Sequence, residues 1–345
     1  MKTINGDACH DTLVSNTKGI LSYKNDCDFN VWKHQIESKL QELLGMDVIA
    51  ENACPVRIEI ENTEEHEAYR LIRFLYESEW NNRVPAFLLI PKQGKEKYPL
   101  TIILQGHTTG YHISIGEKKY EMDERFVPNS SFALQAMENG FAALCIEQRG
   151  MGITRSERYP GPGGVHQCSF TAMTAINLGR TIIGERVWDV KRGIDALEKM
   201  ALPEIDLSKI MIQGNSGGGT AAFYAACLED RIRYAAPACA FCSYKGSIMT
   251  ILHCVCNNIP RASRYFEMED LACLIAPRHL TILTGQKDDI FPIDAVRESY
   301  GTVEKIFAHA GVPKNCKLVL MPEGHHWCPD IAWNTINEKK TELGW

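Results

Sequence analysis

The sequence predicts an α/β fold in which a mostly parallel central sheet is flanked by helices, with inserted loops gathered at one edge of the sheet. Three observations carry that expectation. Six short segments are apolar on both faces, as strands between two helical layers must be: PLTIIL (99–104), AALCIE (142–147), KIMIQG (209–214), YAAPA (234–238), HLTILTG (279–285) and CKLVLMP (316–322). Long stretches separate them, and right-handed crossovers through such stretches carry the C-terminal ends of parallel strands to one edge. With 45% hydrophobic and 23% charged residues, a chain of 345 residues can bury a large core.

The elements preceding this pattern differ in period. Trp32, Ile36, Leu40 and Leu43 recur at helical spacing within residues 30–45, and Gly45 supplies a stop. RIEIE near residue 57 and YRLIRFLYES near residue 69 read as an antiparallel hairpin that PAFLLIP (85–91) extends. Residues 1–80 are thus expected to form a helical extension and first strands packed on a domain spanning 81–345, a single domain overall. Segments 107–135, 150–187 and 241–275 should sit at the C-terminal edge of the sheet and set specificity. Within the second, RYPGPGGVHQCSF is too rich in Gly and Pro for a helix and reads as a loop, whereas the cysteine-rich run CAFCSYKGSIMTILHCVCNNIP (239–260) is expected to pack as a helical lid.

Composition narrows the partners. A formal charge of −6 gives no electrostatic reason to bind nucleic acid or an anionic membrane. The opening MKTINGDACHDTLVSNTKGI is too polar for a secretory signal, no run is long enough to span a bilayer, and a cytoplasmic protein is expected. Thirteen cysteines, an odd number without a scaffold pattern, are expected to be free thiols of a reducing compartment.

The chemistry centres on KIMIQGNSGGGTAAFYAACL. Here a strand runs into G-x-S-x-G (Gly214 to Gly218) and then an Ala-rich helix, the setting of a nucleophile on a strained strand-to-helix turn. Ser216 is the expected nucleophile, and the N–H of Gly217, at the helix start, should face a developing oxyanion. A serine hydroxyl needs a positioned base, and the order Ser, Asp, His follows along the chain. QKDDIFP follows one strand end and offers Asp288 or Asp289. EGHHW follows the next and offers His325 or His326. Asp288 is preferred because it lies between Gly285 and Pro292 where the loop turns back to the sheet, and His325 because it directly follows Gly324.

The second oxyanion donor should come from QGHTTGYHISIG after PLTIIL, with the N–H of His107 beyond the turn at Gly106. The side chains of His107, His112 and His166 could line a substrate pocket or be ordinary loop histidines. In CAFCSYKGSIMTILHCVCNNIP, the residues Cys239, Cys242, His253, Cys254 and Cys256 lack the spacing of a zinc knuckle, so no metal and no cofactor is expected, and these cysteines should pack as small apolar residues.

EQRGMG (147–152), the run from Arg186 to Gly219, EDRIRYAAP (229–237), GQKDDIFP (285–292) and EGHH (323–326) together make residues 85–330 resemble the acetyl xylan esterase and cephalosporin-C deacetylase group, and more broadly the dienelactone-hydrolase-like α/β-hydrolases. The resemblance implies the α/β-hydrolase fold, a Ser216–His325–Asp288 triad, oxyanion donors at Gly217 and His107, and cofactor-free removal of small acyl groups, chiefly acetyl, from sugar-like alcohols. Some members of that group are homo-oligomers. The elbow reads G-N-S-G-G where the group has G-x-S-Q-G, and Q-G-H stands where it has H-G followed by tyrosine, which marks a divergent branch. An amidase or peptidase of the same fold, or a noncatalytic binding module, are the competing readings, distinguished by anilide turnover and by the reactivity of Ser216.

Overall fold

The computed structural model describes residues 4–92, 94–158, 161 and 167–345. Among the described residues nine strands form one sheet in the order β1-β2-β3-β5-β4-β6-β7-β8-β9, with β1 Ile58–Glu65, β2 Tyr69–Glu79, β3 Asn82–Pro91, β4 Tyr98–Leu104, β5 Ala142–Ile146, β6 Ile205–Asn215, β7 Ile232–Ala238, β8 His279–Gly285 and β9 Cys316–Met321. The first three pair antiparallel and β3 joins β5 antiparallel; all pairings from β5 through β9 are parallel. The expected α/β sheet and its hairpin edge are both present.

Period-two alternation distributes the strand residues between two cores. Leu100, Ile102 and Leu104 face one side, where the helices Phe29–Leu44, Ile182–Met200, Gly217–Leu228 and Ile293–His309 bury their apolar stripes. Ile103, Ala143 and Cys145 face the other, against the helices Phe132–Glu138 and Pro329–Glu342. The helix Phe29–Leu44 begins where the Asp28 carboxylate accepts the N–H groups of Asn30 and Val31, and ends at Gly45 in the left-handed region, φ 70°.

The strand order places the site. Because β4 lies between β5 and β6 while the chain runs β4, β5, β6, the connections leaving the C-terminal ends of β4 and β5 diverge, and a crevice opens at that reversal. Leu104 pairs with Gly214 at the top of β4 and β6, so Gln105–His107 emerges beside Ser216.

One expectation needs correction. The run 239–260 is not a helical lid: it folds as turns with a short 3₁₀ piece at Val255–Asn257, and the remainder of segment 241–275 adds 3₁₀ pieces at Ala262–Arg264 and Met268–Leu271 and a four-residue helix at Ala272–Ile275. Hydroxyl side chains compete for the backbone there. Ser243 Oγ accepts the Gly246 N–H at 3.0 Å, Thr250 Oγ1 donates to the Lys245 carbonyl at 3.0 Å and Ser247 Oγ to the Ile290 carbonyl at 2.7 Å. Among the described residues no helix is long and apolar enough to cross a membrane.

Candidate active site

Ser216 joins β6 to the helix Gly217–Leu228 at φ 56°, ψ −124°, a conformation that costs a serine about 1–3 kcal/mol and persists only when its surroundings hold it. The Ser216 N–H is fixed on the Ala238 carbonyl of β7 at 2.9 Å. The flanking glycines are steric necessities. A Cβ at Gly218 would lie 2.0 Å from the Leu104 carbonyl oxygen, and one at Gly214 would lie 2.4 Å from the Gly218 carbonyl.

The loops after β8 and β9 lock together and deliver the other two groups. Gln286 N–H donates to the Met321 carbonyl at 2.8 Å and Lys287 N–H to that of Glu323 at 3.1 Å, so close that a Cβ at Gly285 would meet the Gly324 oxygen at 2.0 Å. His325 thereby reaches Ser216 Oγ with Nε2 at 2.7 Å and Asp288 Oδ2 with Nδ1 at 2.8 Å. Asp288 is buried, and its Oδ1 accepts the N–H groups of Ile290 at 2.9 Å and Phe291 at 3.1 Å. Burial would raise the Asp288 carboxyl, but the hydrogen bond and charge of His325 and those two N–H groups outweigh it and hold the group below its ordinary value. The Phe291 ring stacks on His325 at 5.9 Å and 11°.

The proposed oxyanion donors converge on the same serine. Gly217 opens the helix, so its N–H has no partner four residues back. A Cβ at Gly106 would lie 2.8 Å from the Asn215 oxygen and 3.3 Å from Ser216 Cβ, and one at Gly217 would lie 2.8 Å from the His107 ring, which places the Gly106–His107 turn directly over the elbow.

Two depressions meet at Ser216. One is walled by Leu252, His253, Ile290 and Phe291 together with His107 and Gly217, and measures about 570 Å³ including its mouth. The other is larger and lined by Gln105, Arg125, Asn129, Ser130, His326 and Trp327. His253 Nε2 lies 2.9 Å from Ser247 Oγ; burial, then the neighbouring His325, lowers its pKa below the ordinary value.

The structure thus brings together Ser216, Asp288, His325, Gly217 and His107. The duplicates fall outside this constellation: Asp289 is exposed, and His326 is exposed on the wall of the larger depression. His112 is buried away from both depressions, its Nε2 2.9 Å from Asp123 Oδ2, and it pins its own loop rather than facing substrate. His166 lies outside the described residues. None of the thirteen cysteines is in a disulfide. The pocket walls Leu252, His253 and Phe291 were not singled out for this role from sequence; only their segment or motif was.

EQRGMG has a structural function. Arg149 is held by Asp189 through Nε and an η nitrogen, both at 2.7 Å, and by Glu79; Arg180 joins Glu79 at 2.7 Å and Glu185 at 3.0 Å. This buried network anchors the turn after β5, where Gly152 sits so close to Glu147 that a Cβ would lie 2.1 Å from its carboxylate.

Fold and elbow together define a hydrolase of the α/β-hydrolase fold. Residues 46–270, well over half of the sequence, match the acetyl xylan esterase (AXE1) family, and the chain belongs to that family. It is a carboxylic-ester hydrolase whose substrate is a small-molecule ester. A Bacillus subtilis (strain 168) protein named "Putative hydrolase YtaP" is 23% identical over 274 residues, covering 79% of this chain and 87% of the relative. Among solved structures, a "putative acetyl xylan esterase" from Bacteroides fragilis NCTC 9343 superposes with a TM-score of 0.78 at 15% identity, covering 98% of this chain and 96% of the other. A glucuronoyl esterase from Solibacter usitatus gives 0.66 at 12% identity, covering 94% and 96%. These structural likenesses speak to the fold.

Proposed function

We propose that the chain removes small acyl groups, acetyl foremost, from a sugar-like alcohol by a Ser–His–Asp mechanism. The observation that carries this is the continuous hydrogen-bonded line Ser216 Oγ, His325, Asp288, at 2.7 and 2.8 Å, ending on a strained serine. His325 Nε2 takes the hydroxyl proton as Ser216 attacks the ester carbonyl. Asp288 holds the tautomer that leaves Nε2 free to accept it. The N–H groups of Gly217 and His107 receive the oxyanion, and His325 returns the proton to the departing alcohol. Water then repeats the sequence on the acyl-enzyme.

The unequal depressions suit unequal substrate halves. The apolar wall of Leu252, Ile290 and Phe291 fits a short acyl chain, and the larger side, with Arg125, Asn129 and Ser130, offers donors and acceptors to a polyhydroxylated alcohol. Acetyl, sugar and triad are tested together by hydrolysis of a p-nitrophenyl ester series from acetyl to octanoyl, with matched anilides, by wild type and Ser216→Ala. The expected result is a rate highest for acetyl, small on anilides, and reduced by several powers of ten in the variant. A rate that survives the substitution would remove Ser216 from the mechanism, and faster anilide turnover would replace the esterase reading by an amidase one.

A further inference from the structure

Three loops that meet beside the elbow bring one imidazole and three sulfurs to a single point. His107 follows β4, Cys168 lies just before the helix Ser169–Asn177, Cys254 immediately precedes the 3₁₀ turn Val255–Asn257 and Cys256 lies within it. His107 Nε2 lies 3.5 Å from Cys168 Sγ and 3.3 Å from Cys256 Sγ, and Cys168 Sγ lies 2.9 Å from Cys254 Sγ. All four donor atoms fall within 4.8 Å of one another, and the three cysteines are buried.

We propose that His107, Cys168, Cys254 and Cys256 form a structural zinc site that fastens the oxyanion loop to the 252–257 wall of the active-site cleft and to the loop that precedes the helix Ser169–Asn177.

The geometry can be compared with what the metal requires. Zn–S bonds near 2.3 Å and Zn–N bonds near 2.0 Å in a tetrahedron give N···S edges of about 3.5 Å and S···S edges of about 3.8 Å. Both measured N···S edges already match. The Cys168–Cys254 pair would open by about an ångström as the metal enters, a change within reach of two χ1 rotations. Four protein ligands leave no open position, so the site is of the structural kind and supplies no water to the chemistry.

Charge points the same way. Three thiolates and one neutral imidazole around Zn²⁺ carry a net charge of −1, which would be costly in a buried place without a counter-charge. The buried guanidinium of Arg186 interacts with Cys256, Cys168 and Cys254, while donating to the Arg149 carbonyl at 2.9 Å. A second tie reinforces the same loops: Gln167 accepts the Gly152 N–H and donates to the Thr108 carbonyl, both at 2.9 Å. The metal would therefore bind ends of loops that are already held at the right separation.

The site stands on this geometry and does not depend on the assignment of Ser216. The full-length protein is purified from zinc-supplemented cells, its metal content measured, and the chelator-stripped protein titrated with Co(II). The expected result is about one zinc per chain, with thiolate-to-cobalt charge transfer and the intense visible bands of four-coordinate Co(II). Cys168→Ser and Cys256→Ser should lose both, whereas Ser216→Ala and Cys242→Ser, a buried thiol outside the cluster, should keep both. A wild type that neither retains zinc nor gives the cobalt bands would overturn the proposal. So would bands that survive both Cys168→Ser and Cys256→Ser, or a Cys168–Cys254 disulfide found by peptide mapping of protein purified without oxidant.

Discussion

Asp288→Asn is nearly isosteric, and the surroundings of Asp288 decide what it does. One carboxylate oxygen accepts two backbone N–H groups, from Ile290 at 2.9 Å and Phe291 at 3.1 Å, and the other meets His325 Nδ1 at 2.8 Å. An asparagine must keep its carbonyl oxygen toward the two N–H groups, because turning its NH₂ there would leave two buried donors facing donors, at about 1–3 kcal/mol each. Its NH₂ is then presented to His325 Nδ1, which becomes an acceptor. The ring proton moves to Nε2, where it points at Ser216 Oγ and blocks the base. A wrong tautomer of this kind costs roughly four powers of ten in turnover, or about 5–6 kcal/mol at 1.36 kcal/mol per tenfold. Single-turnover hydrolysis of p-nitrophenyl acetate, with circular dichroism to establish folding, measures it; Asp289→Asn, on an exposed side chain, should leave the rate unchanged. A folded Asp288→Asn protein within about tenfold of wild type would refute the tautomer argument and Asp288's place in it.

Substitutions at two further positions test the fold around the site. Burial pushes the Glu147 carboxyl up to about 8 from 4.5, against the N–H groups of Ile153 and Tyr111; a folded-state value above the unfolded one means stability fully present below about pH 4.5 and lost as pH rises through about 8. Glu147→Gln should therefore match wild type near pH 5 and exceed it by a few kcal/mol near pH 9 in urea unfolding, and parallel pH profiles would contradict this. Arg149→Ala should destabilise by about 3–5 kcal/mol, because Asp189 loses both its 2.7 Å contacts in a buried place while Glu79 keeps Arg180. Arg149→Lys should recover only part of that, since an ammonium cannot reproduce the two-nitrogen grip; a loss below 1 kcal/mol in the alanine variant, by the same unfolding assay, would mean that the network does not hold the turn.

Legibility in the sequence followed the range over which each signal acts. The six parallel strands were readable because burial on both faces leaves runs such as PLTIIL and HLTILTG with no polar alternation, and all six fall within observed strands or overlap them by most of their length. The helix Phe29–Leu44 was readable from its stripe and from Gly45. The 239–260 run is not helical although its apolar content resembles a buried helix, because Ser243 and Thr250 redirect local hydrogen bonds into turns and Ser247 Oγ donates to the distant Ile290 carbonyl. Composition alone does not reveal which carbonyl or N–H a hydroxyl will capture.

Within the site the same distinction applies more sharply. Ser216, Asp288 and His325 are far apart in sequence, yet each follows the C-terminal end of a strand of one parallel sheet, and the order of those strands fixes that they converge. The His107–Cys168–Cys254–Cys256 cluster had no such guide. The pairs in direct contact are separated by 61, 86 and 149 residues, and two of its members, Cys254 and Cys256, stand in a cysteine-rich run whose spacing argues against a zinc knuckle. That spacing rule describes sites nucleated by a single short loop. A site assembled from three loops obeys a different constraint: each loop must already be fixed by the fold, as β4 fixes His107 and as Gln167 ties the residue before Cys168 to Thr108. A ligand set of this kind therefore becomes readable only once the sheet topology is known, because the topology, rather than the interval between cysteines, determines which of the thirteen cysteine sulfurs can meet.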